Sequence, residues 1–118
     1  MPIKFNSELG TVSIDENVVA TIAGLSAMES YGIVGMASKS AADGFFELLK
    51  GDHFTRGISV ISKDNALSID LHIIVEYGVQ ISVVAKNIKD RVKYNIEEAT
   101  DLKVDKINIY VEGIRLEK

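Results

Sequence analysis

Residues 67–116 read LSIDLHIIVEYGVQISVVAKNIKDRVKYNIEEATDLKVDKINIYVEGIRL, and the changing spacing of their apolar residues decides the fold. From Ala66 to Tyr77 the pattern alternates. Leu67, Ile69, Leu71, Ile73, Val75 and Tyr77 fall on one side, and Ser68, Asp70, His72, Ile74 and Glu76 on the other, which predicts a strand with one apolar and one mostly polar face. After Gly78 the period lengthens. Ile81, Val84, Ala85, Ile88, Val92, Ile96 and Ala99 recur at three- and four-residue steps, with Lys86, Lys89, Asp90, Lys93 and Glu97 opposite them, as in a surface helix ending near Asp101. Alternation then returns through Ile107, Ile109 and Val111. A strand, helix, strand unit within one sheet predicts a parallel pair whose apolar face the helix covers.

Upstream, Gly10 to Ile14 is a strand candidate, and the Asp15 carboxylate is placed to cap a helix by accepting from backbone N–H groups of its first turn. That helix is expected to reach about Ser30, with Val18, Val19, Ile22, Leu25 and Met28 as its main apolar residues. Ala20, Ala23, Gly24 and Ala27 keep it slim. Gly32 suits a helix stop, and Ile33 to Ala37 reads as an apolar strand. Gly32-Ile33-Val34-Gly35 also spells the GxxG of nucleic-acid-clamping KH loops. Its middle residues are apolar and lie in a strand pattern, so a turn and a buried strand are expected instead. Ser38 to Gly57 is irregular, and Phe45, Phe46, Leu48 and Leu49 suggest one short helix stopped by Gly51. Ile58 to Ser62 should pair with the long strand through a turn at Lys63-Asp64-Asn65.

The predicted order is strand, helix, strand, short helix, hairpin, helix, strand. This is an α+β, two-layer domain spanning residues 1–118, with a mixed sheet and both main helices on one face.

A chain of 118 residues can bury a real core without staples. Cysteine is absent, which excludes disulfides and thiolate chemistry. Only His53 and His72 are present, in no zinc-binding spacing, so no metal or cofactor is expected. The net charge of −4 disfavours generic nucleic-acid binding, which draws affinity from phosphate neutralisation. Met1 to Asn6 lacks signal-peptide features, and no apolar run approaches the roughly 18 residues of a membrane span. A cytoplasmic location is the default expectation.

Ser68, Asp70 and His72 share a strand face and carry the residue types of a hydrolase triad. Residues two apart on a strand stand about 6.6 to 7 Å apart and project in parallel, so they cannot converge as a triad must. A polar sheet face is expected, and Ile74 within it hints at cover by another subunit. Lys86, Lys89 and Lys93 form a helix stripe that could meet RNA or anionic lipid, but Asp90 and Glu97 interrupt it. No catalytic constellation is defensible. Phe45, Phe46, Leu49, Phe54 and Arg56 are the candidate partner contacts, because exposed apolar clusters mark interaction surfaces. A lid over the open end of the core is the alternative reading of the Phe45 segment.

Five stretches in order resemble a known family: Gly10-Thr-Val-Ser-Ile-Asp and the helix after it, Tyr31-Gly-Ile-Val-Gly-Met-Ala-Ser, Phe54-Thr-Arg-Gly-Ile, Ile74-Val-Glu-Tyr-Gly-Val, and Val104-Asp-Lys-Ile-Asn-Ile-Tyr-Val-Glu-Gly-Ile. They are similar to the alkaline shock protein, or envelope stress response, family of Gram-positive bacteria, in particular its small YloU-like members. The resemblance implies a small non-enzymatic α+β protein linked to envelope homeostasis. It also implies a membrane-associated or lipid-metabolism protein partner, because such members often occur beside a kinase-like protein of fatty-acid metabolism; a homo-oligomer acting through such contacts is the expectation for this chain. The resemblance supplies no catalytic or ligand residues.

Overall fold

The computed structural model describes residues 3–39, 46–48, 55–64 and 66–116. Its elements in chain order are β1 (Ile3–Ser7), β2 (Gly10–Ile14), α1 (Glu16–Met28), β3 (Ile33–Lys39), β4 (Phe46–Leu48), β5 (Ile58–Lys63), β6 (Ala66–Glu76), α2 (Ile81–Thr100) and β7 (Lys103–Arg115). The architecture is α+β, with a mixed sheet and two helices, as the sequence predicts.

β6 is the central strand. Leu67, Ile69, Leu71, Ile73 and Val75 alternate along it and are all fully buried. They pack in one cluster with Val19, Ala23 and Ala27 of α1 and with Val84, Ile88, Val92 and Ile96 of α2. Both helices therefore cover the same side of the sheet. Transferring that much aliphatic surface from water is the main stabilising term of the fold.

The ladders around β6 set the topology. β7 runs parallel to it along the whole of one edge, from Ala66 opposite Lys103 to Glu76 opposite Arg115. The other edge is shared by two antiparallel strands, β5 opposite Ala66–Leu71 and β3 opposite Ile73–Val75. A strand has only two edges, so β3 and β5 lie end to end. They abut where Gly57 meets the backbone of Ala37, so closely that a Cβ on Gly57 would collide with the Ala37 carbonyl oxygen.

The predicted strands at Gly10–Ile14, Ile33–Ala37, Ile58–Ser62, Ala66–Tyr77 and Ile107–Glu112 are all present, the last extended at both ends. The β5–β6 turn pivots on Asp64 at φ 52°, in the left-handed region. The GxxG glycines sit at the entry to β3 and at an irregularity within it, so the segment is a strand as predicted and no KH loop.

Three expectations are corrected. The short helix expected around Phe45–Leu49 is instead, at Phe46–Leu48, a strand paired antiparallel to β3. With only three residues, alternation is too short to betray a strand, and the pairing with Ala37–Lys39 decides its state. β2 pairs with β1 in a separate two-stranded sheet. β1 reads IKFNS, too short and polar to announce itself, yet Ile3 is buried and Phe5 packs against the core.

The third correction concerns how α1 is turned. The small residues Ala20, Ala23, Gly24, Ser26 and Ala27, with Val19, form its buried side. Val18, Leu25 and Met28, counted among its main apolar residues, are 47%, 48% and 41% exposed. A slim face lets the helix approach the sheet closely, whereas its larger side chains would hold it off.

Local chemistry ends the helices where predicted. Asn17 N–H donates to Asp15 Oδ1 at 2.8 Å, the expected cap of α1. At the far end of α2, Asp101 adopts φ 60° as its N–H donates to the Glu97 carbonyl at 2.9 Å. Glu97 Oε2 accepts from Val104 N–H at 3.0 Å and ties the helix to β7. Gly32, at φ +88°, closes the turn between α1 and β3, and a Cβ there would stand 2.7 Å from Val84 Cγ2.

Two substitutions test this account by urea denaturation. Gly32→Ala combines backbone strain with a clash against α2 and should cost about 2 to 4 kcal/mol. Asp101→Gly should gain roughly 0.5 to 1 kcal/mol, because it removes both a left-handed non-glycine residue and an anion at a helix C-terminus.

Candidate interaction surface

Two broad faces remain after the core is formed. The face of the sheet opposite the helices is built from alternate residues of β5, β6 and β7. Its polar groups are engaged with neighbours across the ladder. Asn108 Nδ2 donates to Asp70 Oδ1 at 2.8 Å. His72 Nδ1 lies 3.0 Å from Glu112 Oε2, and since a carboxylate only accepts, the imidazole donates. The same imidazole stacks on Tyr110 with ring centroids 4.8 Å apart. Ser68, Asp70 and His72 thus face partners on β7 rather than one another, and the triad is excluded by geometry as expected. Ile74 is 3% exposed within the single chain, so no second subunit is required to cover it.

The outer face of the helix layer is different in kind. Val18, Leu25 and Met28 lie along the solvent side of α1, each far from fully covered. α1 is apolar nearly all round, a pattern characteristic of a helix buried on every side. Just past its end Tyr31 is 72% exposed, and on α2 Tyr94 is 65% exposed. These two tyrosines belong to an open groove of about 550 Å³ between the helices, lined also by Ser30, Asn87, Asp90, Arg91 and Asn95. Its floor is fixed by hydrogen bonds. Asn95 Nδ2 donates to Ser26 Oγ at 2.8 Å, and Ser26 Oγ donates to the Ile22 carbonyl at 2.7 Å. Tyrosine and arginine, both present in its lining, are residue types that carry binding energy at protein interfaces.

The candidate contacts from sequence fare unequally. Phe45, Leu49 and Phe54 lie outside the described residues. Phe46 is placed only as the first residue of β4. Arg56 is exposed at the rim of a cavity of about 350 Å³ that includes Asp15, Glu16, Asn17 and Thr55 at the start of α1. It does not join the Tyr31–Tyr94 groove. Sequence reasoning singles out neither tyrosine, because Tyr31 follows the helix and Tyr94 lies off the buried stripe of α2, and it gives no side of α1 to Leu25 and Met28. The signal that points to them is the excess of apolar residues on α1, more than one buried stripe accommodates.

The basic stripe is partly neutralised, since Lys86 Nζ donates to Asp90 Oδ2 at 3.0 Å on the helix surface. Among the described residues there is no group of three His, Asp or Glu side chains suited to hold a metal ion. No helix among them is long and apolar enough to cross a membrane.

The groove floor and its walls should separate in a stability measurement. Asn95→Ala should cost about 0.5 to 1.5 kcal/mol through the lost bond to Ser26. Tyr94→Ala should change the unfolding free energy by less than about 0.5 kcal/mol, as expected for a side chain that awaits a partner.

Comparison with known proteins places this architecture. Residues 4–116 match the model of the alkaline shock protein 23 family, cell envelope-related function. The protein YloU of Bacillus subtilis (strain 168) is 43% identical over 117 residues, covering 98% of each chain. A Streptococcus pyogenes serotype M6 protein is also 43% identical, over 98% of this chain and 97% of its own. More distant is a stress response regulator gls24 homolog of Streptococcus pyogenes serotype M3, 26% identical over 90% of this chain and 59% of its own. No solved structure matches. The chain belongs to the alkaline shock protein family, with its cell envelope-related function.

Proposed function

We propose that this member of the family is a non-enzymatic scaffold of the envelope stress response, acting through self-association and contacts with a membrane-associated or lipid-metabolism protein. One observation carries the reading. The helix layer presents Val18, Leu25, Met28, Tyr31 and Tyr94 to solvent on its outer side. Aliphatic and aromatic side chains gathered in this way lose little by staying folded without a partner and gain much by docking to one. The gls24 homolog is named as a stress response regulator, which supports the same assignment for the present chain. The protein would work in the cytoplasm and reach the membrane surface through its partner.

A nucleic-acid role through Lys86, Lys89 and Lys93 is the competing reading. No observation favours it, because Lys86 is already paired with Asp90 and the overall charge is negative. Binding to RNA that weakens steeply with salt would reverse this order.

Crosslinking in cells, followed by identification of the captured protein, is the direct test. The expected result is one reproducible membrane or lipid-metabolism partner, lost in the Leu25→Asp, Tyr94→Asp double variant while circular dichroism stays unchanged. Light scattering after size exclusion should give a mass above that of one chain. A strictly monomeric protein with no reproducible partner would overturn the proposal.

A further inference from the structure

β7 forms the outer edge of the main sheet for all of its 13 residues. One side of its backbone is taken by β6, and no strand among the described residues takes the other. Open edges of this length invite pairing, and proteins commonly blunt them with proline, charge or bulges. Here the blunting stops at the ends. The register shifts fall at Asp105 and Glu112, so Lys106–Val111 is a regular run opposite Ser68–Ile73. Within it, Ile107-Asn-Ile-Tyr-Val111 holds no charge and no proline and is rich in residues that favour strands.

The sides of this run are also unfinished. Ile107, Ile109 and Val111 pack against the core from the helix-covered side but remain only half-buried. Something that extended the sheet would continue that apolar strip.

We propose that the outer edge of β7 is where a second copy of this chain pairs, β7 against β7 antiparallel, making one continuous sheet with all four helices on one side. This deepens the self-association reading above and rests on it. The sequence of the edge is self-complementary about Ile109. A two-fold axis there sets Ile109 against its own copy, Ile107 against Val111, Asn108 against Tyr110, and Lys106 against Glu112 twice over. Lys106 pairs with Ser68 and Glu112 reaches His72, so both project on the side away from the helices and can meet. Cross-strand pairs of opposite charge and of aliphatic side chains favour this register. The shared patch is the same on both copies, as a closed dimer requires.

The absence of cysteine makes the geometry directly readable. In Ile109→Cys the thiols of the two copies would face each other at a separation close to that of a disulfide, so mild oxidation should give a covalent dimer in high yield. Val18→Cys, on the exposed side of α1, should not. Lys106→Glu, an exposed change, should weaken the dimer roughly tenfold or more in sedimentation equilibrium, and adding Glu112→Lys should restore it. Circular dichroism of each variant confirms that the fold persists. If the protein is oligomeric but Val18→Cys crosslinks while Ile109→Cys does not, the β7 site is wrong and self-association stands. A monomer at every concentration would overturn both.

Discussion

One face of β6 must be kept dry along its entire length. Five side chains at alternate positions are fully buried, and a slip of one residue in register would exchange them for Ser68, Asp70, His72 and Glu76. The rest of the chain meets that requirement. α2 lays its regular stripe across the strip, α1 closes in with its smallest residues, and Gly32 lets the turn between α1 and β3 pass within contact of Val84. Helix ends are fixed by the same economy of position, with Glu97 reaching from α2 to the start of β7.

The parts legible in the sequence are those in which burial imposes a period. β6, α2 and β7 each bury one face, so their residues alternate or recur at helical spacing and their order gives a parallel pair. Where burial is not periodic the sequence misleads. α1 is apolar on both sides, and nothing in its spacing says that alanine rather than leucine faces inward. β4 and β1 are held by antiparallel pairing with the strands next to them in the chain, and a three-residue segment such as Phe46–Leu48 carries no trace of that in its own pattern. The candidate surface is obscured for a related reason. Leu25 and Met28 count among the main apolar residues of α1, and only the structure shows the core filled without them.

Function follows from what is left over. The open sheet face spends its polar groups on its own ladder, through Asn108 with Asp70 and Glu112 with His72. What stays unengaged among the described residues is the outer backbone edge of β7 and the exposed apolar side chains of the helix layer. The proposed scaffold role is compatible with membership of a family with cell envelope-related function.

The butt joint between β3 and β5 has a further implication. β3 runs past Ala37 to pair with β4, and the chain comes back against Ala37 at Gly57, where the two residues touch. A contact at the base of this excursion means that the positions of β3 and β5 are fixed by each other and by β6, so a change in the length of chain between them costs little by loop closure alone.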